Sequence, residues 1–128
     1  LLTTHGVMSV QSTSPYHAKK AFLSIGKTLL SSGFPFVDQY RQNVPSFGEG
    51  GWHIASKQRV GPRQRLSDMQ VLPAAHDWLT LDLLNAAFEF PGGFFDELGT
   101  VEVNTLGSHH VYQYHTQAWK VELGLYRD

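Results

Sequence analysis

The chain has 128 residues, 41% of them hydrophobic and 12% aromatic, which suits one domain with a packed core or a piece of a larger one. That content excludes disorder over most of the length, and a formal net charge of −1 gives no global field to gather nucleic acid or an anionic membrane surface. With zero cysteines there is neither a disulfide framework nor a thiolate metal site, a usage that fits a reducing compartment.

The opening, "LLTTHGVMSV", has no Met start and no basic-then-apolar leader, so the chain is expected to be an internal fragment of a longer protein. No run approaches the roughly 20 apolar residues of a membrane helix. "GVMSVQ" (6–11) reads as a buried strand. Ser14 is placed to cap a helix with Pro15 at its first position, where a missing N–H costs nothing. Ala18, Phe22, Ile25 and Leu29 recur at helical spacing, Lys19, Lys20 and Lys27 fall mostly off that face, and Gly33 follows as the C-cap.

"FPFVDQY" (34–40) predicts a second strand, "RQNVPSFGEGG" (41–51) a loop, and "WHIASK" (52–57) a third strand. Strand, helix, strand predicts two parallel strands joined by a right-handed crossover. The link to the third strand is too short for another crossover, so that strand is expected to be antiparallel. Residues 58–77, with Gly61-Pro62 and Pro73, read as a surface excursion. Thr80 can cap a helix carrying Leu81, Leu84 and Phe88, stopped by Pro91-Gly92-Gly93. Val111, Tyr114, Ala118 and Val121 predict a last helix from His110, with "TVEVNTL" (100–106) before it as a candidate strand. The expected organisation is a βαβ-β part (1–57), a surface loop (58–77) and a helical extension of the same domain (78–128).

In open α/β sheets, ligands bind beyond the carboxyl ends of the strands. The polar turn 11–14 lies at such an end, and the loop 43–51 is expected on the same rim, making half of a pocket. The alternative is that both are ordinary connections whose Ser, Asn and Gly serve only turns and caps.

"VQSTSPYHAKKAF", "GFPFVDQY" and "NVPSFGEGGWHIASK" strongly resemble the polyamine aminopropyltransferases, the spermidine synthase family, in particular the bacterial long form. "WLTLDLLNAAFEFP", the Val-Asn-x-Leu at 103–106 and "YQYHTQAW" fit the same family, so the resemblance covers nearly all of the chain and is weakest over 57–77. It implies a Rossmann-like, methyltransferase-type fold of which this is the C-terminal part: parallel strands, an antiparallel last hairpin and a helical tail. It also implies transfer of an aminopropyl group from decarboxylated S-adenosylmethionine, as co-substrate, to putrescine, with no tightly bound cofactor. The family's Gly-rich nucleotide turn, ribose-binding acid and catalytic acidic loop would lie upstream, so no catalytic residue is expected in this segment.

By position, Gln11 matches the family's Gln that hydrogen-bonds the polyamine, with Ser12 beside it on the turn. Phe47 matches an aromatic, often Tyr, that walls the aliphatic stem; Pro45 and Ser46 shape the loop, and Glu49 is a candidate source of negative potential for a diamine or else a solvated acid. The long form usually has Trp-Gly-aromatic after the Glu; here Gly50-Gly51-Trp52 stands instead, a departure that bears on substrate choice and activity.

The resemblance further implies a cytoplasmic catalytic part whose parent is membrane-tethered in some long-form relatives, a homodimer in many family members, and partnership with the missing N-terminal half. Two rival functions stand beside it: an N-methyltransferase of the same fold using ordinary S-adenosylmethionine, and a non-catalytic binding or assembly module. "GEGG" precedes a strand rather than a helix and is not a dinucleotide turn. "SIGK" (24–27) lies mid-helix without the companion motifs of a nucleophilic serine. His109, His110 and His115 lack a metal-binding spacing, so no metal is expected; Tyr114 and Trp119 read as core, and Lys19-Lys20 as a solvated face.

Overall fold

The computed structural model describes residues 3–45, 48–74, 77–105 and 108–122. The elements are β1 (Val7–Gln11), α1 (Lys19–Ser31), β2 (Phe36–Val44), β3 (Gly48–Ser56), α2 (Pro62–Ser67), α3 (Leu81–Ala87), a 3₁₀ turn (Asp96–Thr100) and α4 (His110–Glu122). The three strands form one sheet in the order β1-β3-β2, and both pairings are antiparallel.

β1 and β2 run in the same direction, as the strand–helix–strand pattern predicts, but they are not neighbours. β3 lies between them, so the expected parallel pairing is replaced by two antiparallel ones. The cause is the connection after β2. The predicted loop 41–51 is mostly strand: β2 continues to Val44, β3 begins at Gly48, and Asn43 faces Glu49 across a tight hairpin. A hairpin this short forces its strands to pair at once, and β1 then takes the free edge of β3. β1 is also less buried than expected. Val7, Ser9 and Gln11 are exposed while Met8 and Val10 are half-buried, the alternation of a strand with one covered face.

α1 packs across that covered face. Ser14 does not cap the helix itself. Its Oγ accepts from the His17 N–H at 3.2 Å and its carbonyl from Ala18 N–H at 2.9 Å, closing a turn; the regular helix starts at Lys19. At the other end Gly33, with φ of +100°, supplies the left-handed residue that ends the helix. Phe22, fully buried, is the centre of the core with Leu23, Phe94 and Val101, and Phe90, Phe95, Leu98 and Tyr114 pack around them. Burying an aromatic of this size stabilises the fold by about 3 kcal/mol.

The other flank of α1 is polar and serves a different purpose. Ser24 Oγ donates to the Glu102 carbonyl at 2.5 Å, Lys27 Nζ to the Val101 carbonyl at 2.9 Å, and Thr28 Oγ1 accepts from Asn104 N–H at 2.8 Å. The candidate strand at 100–106 therefore forms no strand over its described residues: side chains of α1 take the backbone groups that a ladder would use. Lys19 is likewise not simply solvated. Its Nζ lies 3.5 Å from Glu97 Oε1 and 4.7 Å from the centre of the Phe94 ring.

The far face of the sheet stacks Tyr40 on Trp52, with centroids 5.5 Å apart and planes within 9°. α2 and α3 approach this face, leaving an apolar groove lined by Val7, Ile54, Leu66, Met69, Leu84 and Phe88. The surface stretch after β3 thus carries one short helix, and Thr80 caps α3 as predicted, accepting from Leu83 N–H at 3.1 Å. Among the described residues no helix is long and apolar enough to cross a membrane.

Candidate functional site

Pairing does not stop where β1 stops. Ser12 N–H donates to the Gly51 carbonyl and Gly51 N–H to the Thr13 carbonyl, each at 2.8 Å, so the turn 12–14 is stitched to β3. Thr13 takes a φ of +58°, a conformation β-branched residues seldom adopt, which this stitching holds in place. Gly51 is required here: a β-carbon would collide with the Phe22 ring and reach 3.0 Å from Pro15 Cδ. The polar turn is packed between β3 and α1.

Gln11 pairs with Trp52, while the hairpin runs four residue pairs further, from Tyr40–Trp52 to Val44–Gly48. The carboxyl ends of β1 and β2 therefore lie on one rim. Gln11 is exposed there and lines a cavity of about 440 Å³ together with Thr13, Ile25, Asn104, His109 and His115. Pro45 stands at the tip of the hairpin, beyond Val44. Ser46 and Phe47 lie outside the described residues.

Ser12 points inward. It is fully buried, its Oγ 3.0 Å from the Val10 carbonyl and 2.6 Å from His53 Nδ1. Glu49 belongs to strand β3 rather than to a loop, and its carboxylate meets Arg41 Nη1 at 2.7 Å. Arg41 also donates from Nε to the Glu89 carbonyl at 2.9 Å, with its guanidinium 5.8 Å from the Tyr16 ring centre and 5.9 Å from that of Phe90. The negative charge of Glu49 is thus matched locally by a cation held on several sides.

Reasoning from sequence missed Arg41 and His53. His53 is only 1% exposed, with its ring 4.5 Å from that of Phe22, and burial lowers its pKa to about 4. It is therefore neutral at pH 7. A signal was present: Gly26 interrupts the apolar face of α1, and a β-carbon there would fall 2.5 Å from His53 Nε2. A glycine inside a helix costs about 1 kcal/mol and commonly marks a bulky group packed against it.

Among the described residues no group of three His, Asp or Glu side chains is arranged to hold a metal ion. On α4, His115 Nε2 instead accepts from Trp119 Nε1–H at 2.9 Å. The geometry brings Gln11 and Thr13 to one cavity, while Pro45 stands beyond the last hairpin pair, Val44–Gly48.

No family model matches the chain. Curated proteins do. The chain is 50% identical over 125 residues to a polyamine aminopropyltransferase of Shewanella oneidensis, a match covering 98% of this chain and 22% of that protein. It is 28% identical over 121 residues to one from Oceanobacillus iheyensis, covering 93% of this chain and 22% of that protein. The polyamine aminopropyltransferase of Mycobacterium tuberculosis is 32% identical over 124 residues, covering 92% and 21%. The chain is a homologue of the C-terminal part of these transferases and spans about a fifth of their length.

Proposed function

We propose that the chain is the C-terminal segment of a spermidine-synthase-like enzyme that transfers an aminopropyl group from decarboxylated S-adenosylmethionine to putrescine. The observation that carries this is the 50% identity to a polyamine aminopropyltransferase over 98% of the chain. The single rim at the ends of β1 and β2 supports it by supplying a surface on which an amine can be held.

In this reaction the neutral amine attacks the carbon next to the sulfonium. A C–N bond forms as the C–S bond breaks, the thioether leaves, and the new ammonium gives up a proton. Catalysis consists largely of holding the amine in line and uncharged. In the proposed assignment Gln11 accepts a hydrogen bond from the amine through its side-chain carbonyl. Phe47 walls the methylene stem, Pro45 shapes the hairpin tip, and Ser12 contributes by fixing the turn. Glu49 tempers the local field as an Arg41-paired carboxylate rather than a bare anion. The donor site and the proton acceptor are assigned to the rest of the parent domain, so the 128 residues alone are expected to show no turnover.

The full-length protein, given decarboxylated S-adenosylmethionine and putrescine, is expected to form spermidine, detectable by chromatography of the derivatised amines. Absence of spermidine, with neither compound bound in calorimetry, overturns the proposal. Methylated amine formed from ordinary S-adenosylmethionine replaces it with an N-methyltransferase.

A further inference from the structure

His53 has no role in the assignment above, yet it and its partner Ser12 sit directly behind the residues that face the rim. Ser12 Oγ lies 3.0 Å from the Val10 carbonyl and 2.6 Å from His53 Nδ1; we assign the hydroxyl proton to the carbonyl, which can only accept, and this assignment leaves His53 Nδ1–H to donate to the Ser12 oxygen. The imidazole is then neutral with its proton on Nδ1. Its Nε2 is buried against Gly26 and has no hydrogen-bond partner among the described residues. A buried polar atom left without a partner costs about 1–3 kcal/mol, so the ring's polarity is retained against a stability cost. A leucine would fill the space more cheaply. What the imidazole supplies is one fixed donor, directed at the turn.

That turn is where orientation matters. Ser12 lies between Gln11 and Thr13, both of which line the rim cavity, and Thr13 is held in a strained conformation. A hydroxyl clamped on one side by Val10 and on the other by His53 fixes the residue from which both neighbours project. Resting on the aminopropyltransferase assignment, we propose that His53 is a positioning residue for the amine site, acting through Ser12 to set the direction of Gln11 and Thr13.

The test uses the full-length protein with His53→Leu, which fills the volume without a donor, and His53→Asn, whose amide N–H stands near the position of Nδ1. His53→Leu is expected to raise KM for putrescine about tenfold, leaving KM for the nucleoside unchanged and kcat within about threefold. His53→Asn is expected to recover most of the loss. Ser12→Ala, a smaller change, should reproduce the leucine phenotype even if His53→Leu does not fold. A folded His53→Leu or Ser12→Ala variant with wild-type KM for putrescine overturns the proposal, as does His53→Asn no better than His53→Leu.

Hydrogen exchange of the peptide covering residues 10–16 separates this from the functional assignment. If the wild-type enzyme makes no spermidine, the assignment fails. Faster exchange in His53→Leu than in His53→Asn then still upholds the positioning role, and equal exchange refutes it.

Discussion

A single histidine makes the acid stability of this molecule predictable. His53 is surrounded by Phe22, Gly26 and Ser12, none of which carries a charge, and burial holds its pKa at about 4 against an ordinary value of 6.5. Above pH 6.5 the ring is neutral in both folded and unfolded chains. Between 6.5 and 4 the unfolded chain binds a proton that the folded state refuses. Stability conferred by the neutral ring is therefore complete above 6.5 and falls with acid by up to about 1.4 kcal/mol per pH unit, about 3 kcal/mol in all. Urea unfolding of the full-length protein from pH 7 to pH 4 should lose less stability in His53→Asn than in wild type; an identical slope would contradict the burial of this group.

At the scale of elements, the hairpin β2–β3 and the helix α1 divide the work. The hairpin carries the rim outward, and Arg41 ties it to Glu49 on the neighbouring strand and to the carbonyl of Glu89 after α3. Arg41 and Glu49 are partly exposed, at 33% and 21% of their side-chain surface, so solvent screens the pair only in part. A double-mutant cycle with Arg41→Ala and Glu49→Ala in denaturant unfolding is expected to give a coupling of about 0.5–1 kcal/mol. Arg41→Ala alone should cost more than Glu49→Ala, because it also releases the Glu89 carbonyl. Equal single costs would mean that the link beyond α3 contributes nothing. α1 does the opposite job: its aromatic flank seals the sheet while Ser24, Lys27 and Thr28 hold segment 101–104 as an extended strap.

For the molecule as a whole, the sheet is open at β1. Among the described residues β1 pairs only with β3, and Val7 on its outer portion is 44% exposed. A half-apolar edge of this kind invites another strand. The 128-residue chain by itself is expected to associate as its concentration rises in sedimentation velocity, and Val7→Lys to shift it toward monomer by placing a charge on that edge. If wild type stays monomeric up to high concentration, the edge is already protected and the open-sheet picture is wrong.

Local chemistry made much of this legible in the sequence. The helical period of Ala18, Phe22, Ile25 and Leu29, the cap at Thr80, the stop at Gly33 and the period from Val111 to Ala118 each depend on residues within a few positions of one another. The blocks around Gln11 and Pro45 likewise carried the family resemblance unaided. Three things needed the fold: that β3 enters between β1 and β2, that Ser12 turns inward to a histidine 41 positions away, and that Glu49 arrives already paired with Arg41. Strand order, burial and charge pairing are set by contacts between distant segments, whose energies depend on what solvent is excluded when they meet. No local pattern encodes that exclusion, so only the tertiary structure decided it.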